Sequence, residues 1–177
     1  MPRKSAAESR VDEALHILES IGFPLSLKTP EMQRRLARIL LGVCKLTPKD
    51  AWSGTAVWEG TGSWCPRSRE IIPFVNKYYG EDIKDSSYDD VRRKNLDFLV
   101  ASGLVLRSPG PPDAATNDST RGYSVNPTAA DLFRKFGTPA WKKAREAFCE
   151  ANPRLDDKLL RKRDLKKIPI TLPDGVS

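Results

Sequence analysis

Acidic and lysine side chains occur together in three Asp-x-Lys triplets, a pairing that metal-dependent nucleases use. In those enzymes an aspartate and a second acid hold magnesium, and a lysine beside them orients or activates water. The triplets of this chain are Asp82-Ile-Lys84, Asp156-Asp-Lys158 and Asp164-Leu-Lys166. Chance alone gives roughly two such triplets at this content of acids and lysines, and none lies on a pair of hydrophobic strands. With no glycine-rich phosphate loop and no serine–histidine pair either, the sequence predicts no catalytic residue in this chain.

The residues that bind soft metals are few and scattered. Cys44, Cys65 and Cys149 are widely spaced and include no Cys-x-x-Cys pair, and His16 is the only histidine. A structural zinc site would need all four of these side chains at once. We therefore expect neither a metal site nor a disulfide framework.

A cluster of basic residues points instead to nucleic acid. Arg92, Arg93 and Lys94 are consecutive in the stretch SSYDDVRRKNLDFLVASG. In the major groove, arginine can bridge guanine O6 and N7 and asparagine can bridge adenine, while a helix N-terminus can hold a phosphate. The candidate contacts on this helix are therefore Ser87, Tyr88, Arg92, Arg93, Lys94 and Asn95.

The signals around this helix predict how it is positioned. Ser87 is suited to cap its N-terminus, with Asp90 in the place of a capping-box acid, and Gly103 supplies a left-handed stop. The strand LVLRS, the polar loop PGPPDAATNDSTR and the strand GYSV follow. This order is the second half of a winged helix-turn-helix. The wing adds candidate contacts to the DNA backbone or minor groove: Arg107, Asn117, Thr120 and Arg121.

Helical periodicity predicts three helices ahead of the basic one. The first ends near Gly22, the second begins at Thr29-Pro30, and the third covers residues 67–79. Residues 81–85 are then the turn of the helix-turn-helix, and further helices follow residue 126. The predicted fold is mainly α, a winged helix-turn-helix with additional helices and a small two-stranded β wing.

Two features leave alternatives open. The basic helix contacts DNA or is simply a solvated face, and in the first case Arg92 or Arg93 either contacts DNA or turns inward to a structural acid such as Asp97 or Asp131. Three tryptophans lie in the loop between the second and third helices. Either they line a pocket for an extruded or modified base, or they fill the gap between helices. They are Trp52, Trp58 and Trp64.

Length and charge favour one domain with a basic tail. The chain has 177 residues and a formal net charge of +7, and residues 134–167 carry 12 basic and 5 acidic side chains. We expect a DNA-binding domain over residues 1–150 and a basic helical linker or tail over 151–167. No apolar run approaches the ~20 residues of a membrane span and no secretory signal opens the chain. These observations favour a cytoplasmic protein without membrane contact.

Several segments resemble one known family. LTPKDAW, FVNKYYG, VRRKNLDFLVASGLV, TNDSTRGYSV and FGTPAW are similar to the N-terminal helix-turn-helix region of the BsuBI/PstI family of type II restriction endonucleases, over about residues 12–150. The most specific pieces are the Arg92-Arg93 pair with the helix ending that follows it, and Gly137 to Trp141. The segment from Ser53 to Cys65 and the wing from Pro109 to Ala115 are longer than the family pattern.

The resemblance implies a domain that precedes a magnesium-dependent PD-(D/E)xK nuclease domain in site-specific deoxyribonucleases, which are hydrolases. Residues 168–177 resemble the first strand of that nuclease domain, so the resemblance implies that the rest of it is missing from this chain. Magnesium is then expected for the nuclease domain, and no cofactor is expected here. We expect double-stranded DNA as the partner, and a palindromic target would suggest a homodimer.

Three hypotheses follow. The first is the DNA-recognition module of a type II restriction endonuclease, non-catalytic by itself. The second is a free-standing winged-helix transcription regulator or modified-base sensor. The third is a protein–protein module with no role on nucleic acid.

Overall fold

The protein is described by a computed structural model over residues 5–57, 64–107 and 122–153, together with Leu155 and Leu159. Within these residues it has six helices and one two-stranded antiparallel sheet, which confirms the prediction of a mainly α fold. The elements are α1 (Ala6–Ser20), α2 (Pro30–Cys44), α3 (Ser68–Tyr79), α4 (88–102), β1 (Val105–Arg107), β2 (Tyr123–Val125), α5 (Pro127–Arg134) and α6 (Trp141–Ala151). None of the helices described is long and apolar enough to cross a membrane.

Local sequence signals account for several helix ends. The Thr29 hydroxyl accepts a hydrogen bond from the Met32 N–H at 3.3 Å, and Pro30 occupies the first turn of α2. Gly80 ends α3 at φ 70° and Gly103 ends α4 at φ 85°, left-handed conformations that glycine adopts without a Cβ clash. The predicted ends of these helices are confirmed.

The start of α4 differs from the prediction. A 3₁₀ turn, Asp85–Ser87, leads directly into the helix, which begins at Tyr88. Ser87 has φ −99° and ψ 1°, and its hydroxyl caps no N–H. The predicted Ser87 cap is wrong because a capping side chain reaches back only from an extended residue, whereas Ser87 continues the turn.

The core lies between α1, α2 and α3 and extends to α4, the sheet and α5. Gly42 allows α2 and α3 to approach closely, since a Cβ there would lie 2.9 Å from Ile71 Cγ2. Leu155 and Leu159 are also buried against this core. The predicted boundary at residue 150 stays a prediction, and residues 160–177 lie outside the described part.

Two of the three loop tryptophans pack against the helices. Trp52 is 4% exposed, and its ring lies 5.9 Å from Phe133 and 5.8 Å from Phe136. Its Nε1–H donates to Glu13 Oε1 at 2.9 Å. The Nε1–H of Trp64 donates to the Gly42 carbonyl at 3.1 Å. These contacts support the gap-filling interpretation for Trp52 and Trp64, and Trp58 lies outside the described residues.

The sheet follows α4 directly. Val105 pairs with Val125, Leu106 with Ser124 and Arg107 with Tyr123. The Tyr123 N–H also donates to the Pro66 carbonyl at 2.9 Å, so the chain entering α3 runs beside β2. The loop between the strands, predicted as the tip of a wing, is outside the described residues.

Candidate nucleic-acid interface

The turn between α3 and α4 is held by one side chain of α3. The Asn76 carboxamide accepts from the Ile83 N–H at 3.0 Å and donates to the Ile83 carbonyl at 3.1 Å. It therefore satisfies both backbone groups of a turn residue that has no helical partner. This contact sets the position from which α4 starts.

A second link ties the same turn to α2. Glu81 accepts from Arg35 at 3.0 Å and from Arg38 at 2.8 Å, and its side chain is only 8% exposed. Burial raises the pKa of Glu81, but the hydrogen bonds and charges of Arg35 and Arg38 outweigh it, so this pKa lies below its usual value. Arg35 and Arg38 are thus part of the scaffold that holds this turn.

The helix α4 is continuous but irregular. It begins as α-helix over Tyr88–Val91, widens to a π-helical stretch over Arg92–Leu96, and returns to α-helix over Asp97–Ser102. π-helical turns are rare and are often found at functional sites. The widened stretch contains all three of the basic contacts predicted on this helix.

The basic side chains of α4 are accessible, with side-chain exposures of 37% for Arg92, 56% for Arg93 and 54% for Lys94. Each is paired with an acid one turn earlier. Arg92 contacts Asp89 at 2.6 Å, and Arg93 contacts Asp89 and Asp90, each at 2.9 Å. Lys94 lies 3.3 Å from Asp90. The inward-facing alternative predicted Asp97 or Asp131 as the partner, whereas these ion pairs are local ones at the surface of α4.

These pairs hold Asp89 in its ionised form. The hydrogen bond from Arg92 lowers the pKa of Asp89, and the positive charges of Arg92 and Arg93 add to this effect. The acids and bases in the first two turns of α4 therefore offset one another. A ligand that binds the arginines must compete with carboxylates already in place.

The other predicted contacts on α4 differ in accessibility. Tyr88 is half-buried, and burial together with the charge and hydrogen bond of Asp85 raises its pKa. Ser87 lines a cavity of about 320 Å³ between α2 and α4. Asn95 is only 3% exposed, because it lies four residues after Val91 and four before Leu99 on the buried face. That spacing was visible in the sequence, and it does not favour a base contact by Asn95.

The predicted wing contributes one described residue. Arg107 is exposed at the end of β1, opposite Tyr123. The other three predicted wing contacts, Asn117, Thr120 and Arg121, lie outside the described residues.

One residue near α4 had no local signal in the sequence. The Lys28 ammonium lies 3.3 Å from the Lys94 carbonyl and 4.6 Å from the centre of the Phe98 ring. It comes from the connection between α1 and α2, 66 positions before Lys94. Only the tertiary fold brings this cation to α4.

The part of the chain described here contains no group of three or more His, Cys, Asp or Glu side chains arranged to hold a metal ion. Cys44 is fully buried, and burial raises the pKa of its thiol. The described site therefore consists of hydrogen-bonding and charged side chains.

These features are those of a helix-turn-helix domain. Residues 8–157 match the family described as BsuBI/PstI restriction endonuclease HTH domain, and the chain belongs to that family. The type II restriction enzyme BsuBI of Bacillus subtilis is 23% identical over 167 residues, covering 94% of this chain and 50% of that enzyme. The solved structure of the SdaI restriction endonuclease has a TM-score of 0.66 and 24% identity, covering 93% of this chain and 49% of the other. The chain thus spans about half the length of the relatives it matches.

Proposed function

We propose that this chain is the double-stranded DNA-recognition module of a type II restriction endonuclease. The observation that carries the proposal is the exposed row of Arg92, Arg93 and Lys94 on the second helix of a helix-turn-helix in this family. In such motifs the N-terminal part of the second helix contacts base edges in the major groove. Cleavage, and the magnesium it would require, are assigned to a nuclease domain outside residues 1–177.

We further propose that the domain is a winged helix-turn-helix. The antiparallel pair of β1 and β2 directly follows α4, as the strands of a wing do. The Tyr123 N–H donates to the Pro66 carbonyl, so the segment before α3 runs beside β2. In a winged helix, the third strand of the sheet occupies this position. Arg107 at the end of β1 then lies where a wing approaches the DNA backbone.

A gel-shift assay with Arg92→Ala plus Arg93→Ala tests the interface. We expect duplex affinity at ~50 mM salt to fall by about tenfold to a hundredfold, because two charged donors to phosphates or base edges are lost. Lys142→Ala plus Lys143→Ala is the matched control, since it removes two exposed positive charges from α6. Unchanged affinity in the arginine variant, or an equal loss in the control, would remove α4 as the interface.

The same assay separates the alternatives. An interaction module with no role on nucleic acid predicts no duplex binding even at ~50 mM salt, where phosphate contacts are strong. A free-standing regulator predicts that a sequence selected by the purified chain occurs at promoters, whereas a restriction module predicts a short palindrome.

A further inference from the structure

A groove of about 810 Å³ lies along α4 and the connection between α1 and α2. We call it the α4 groove and define it by four basic residues and two apolar ones: Lys28, Arg92, Arg93, Lys94, Leu27 and Phe98. Its volume falls within the roughly 300–1,000 Å³ typical of small-molecule sites.

The apolar side of the α4 groove is open to solvent. Leu27 is 40% exposed, which is unusual for a large apolar side chain in the described part of the chain. Phe98 is partly buried, with the Lys28 ammonium 4.6 Å from its ring centre. A cation in this position interacts with the negative face of an aromatic ring. The ring face is thus directed into the groove, where a planar group can stack on it by displacing the Lys28 ammonium.

The basic side is formed by the π-helical stretch of α4. Arg92, Arg93 and Lys94 are consecutive in that stretch, and all three line the same groove. Together with Lys28 they give the lining four positive charges and one acid, Asp97, while Asp89 and Asp90 pair with the three cations of α4.

This chemistry restricts the occupant. A ligand that is both planar and anionic can use the aromatic face and the four cations at once. The chain's own following segment is a poor occupant, because residues 161–167 carry five basic side chains and one acid. Like charges on groove and segment would repel.

We propose that the α4 groove binds a nucleotide, with its base on the Leu27 and Phe98 side and its phosphate beside the basic residues. If the nucleotide is one turned out of a bound duplex, the inference rests on the proposed function. If it is a free nucleotide, the inference does not depend on that function. Turning an unpaired base out of a duplex costs less free energy than turning out a paired base. A groove that takes such a base should therefore give tighter binding of a duplex with an unpaired base.

The experiment compares two duplexes that differ only in one central unpaired base. Fluorescence anisotropy at ~50 mM salt should give about tenfold tighter binding of the duplex with the unpaired base. Phe98→Leu keeps the apolar volume but removes the ring face, and it should reduce the ratio of the two affinities to about one. Phe74→Leu is the matched control on α3, where the ring packs against Trp64 and Tyr78, and it should keep the wild-type ratio.

A second arm titrates the wild-type chain and Leu27→Ser with deoxyadenosine monophosphate and follows the Phe98 ring resonances by NMR. A shift in wild type that Leu27→Ser weakens supports a free nucleotide as the ligand. Equal affinity for the two duplexes together with no shift overturns the proposal, as does a duplex preference that Phe98→Leu leaves intact. If neither duplex binds, the proposed function fails, and the nucleotide titration alone decides the groove.

Discussion

Before any ligand binds, Arg92 and Arg93 form ion pairs with Asp89, at 2.6 Å and 2.9 Å. The pairs are exposed, so each contributes little to stability in water. Their consequence is for binding, because a phosphate or a guanine must replace a carboxylate on each guanidinium. In the proposed interface, Asp89 and Asp90 would therefore oppose weak, sequence-independent attachment and favour targets that offer well-placed acceptors.

Replacing Asp89 tests this competition. In Asp89→Asn the side chain at position 89 loses its charge, so Arg92 loses its ion pair, Arg93 keeps only the one with Asp90, and one repulsion with phosphate disappears. We expect the affinity for a duplex of mixed sequence at ~50 mM salt to rise about threefold to tenfold, measured by fluorescence anisotropy.

Asp131→Asn is the control for Asp89→Asn. It removes the same charge from α5, where Asp131 pairs with Lys135 at 3.1 Å. An equal rise in both variants would mean that net charge, and not the release of the α4 arginines, controls affinity.

At the scale of elements, the position of α4 depends on contacts that its own sequence does not contain. Asn76 fixes the turn before it, Lys28 contacts its Lys94 carbonyl, and the sheet follows its C-terminus. The sheet is in turn anchored where β2 passes the segment before α3. A Cβ on Gly122 would lie 2.1 Å from the Cys65 carbonyl oxygen, so only glycine fits at this crossing.

Gly122→Ala should disturb this anchor. The obstructing atom belongs to the backbone and cannot rotate away, so one strand must shift, and we expect a loss of about 3 kcal/mol in the free energy of unfolding by urea denaturation.

Gly54→Ala is the comparison for Gly122→Ala. The nearest atom to its added Cβ is Leu46 Cδ2 at 4.0 Å, which is ordinary contact. A Gly122 variant as stable as the Gly54 variant would contradict the close crossing of the two segments.

At the scale of the whole molecule, Glu81 connects the helix-turn-helix to the α1–α2 layer. Its pKa is lowered because the bonds and charges of Arg35 and Arg38 outweigh the effect of burial. A carboxyl whose pKa is lower in the folded than in the unfolded chain stabilises the fold above the unfolded value, near 4.5. This stabilisation is lost as the pH falls through the folded value.

Glu81→Gln should therefore lower the free energy of unfolding by about 2 kcal/mol at neutral pH, where two charged hydrogen bonds are weakened. The difference from wild type should shrink on acidification, because wild-type Glu81 then becomes protonated as well. Urea denaturation at neutral pH and near pH 3 measures both quantities. Glu19→Gln, at an exposed position on α1, should change little, and a constant difference across this pH range would argue against the role of Glu81.

Much of the secondary structure was readable from the sequence, because it depends on neighbours within one turn. The Thr29 cap, the glycine stops at Gly80 and Gly103, and the basic helix with its following strands all correspond to predicted signals. The misplaced cap at Ser87 shows the limit of such signals, since a serine caps only if the residues before it are extended.

Arrangement of the site was decided by the tertiary structure. Lys28 reaches α4 from 66 residues away, and Pro66 meets Tyr123 across a similar span. Arg35 and Arg38 became scaffold because a buried acid lies opposite them. By itself the sequence determined the helices, the family resemblance and the basic row on α4, all of which depend on residue types and short spacing. Which side chains line the α4 groove, and which cations are already paired, followed only from packing, because long-range contacts leave no periodic trace along the chain.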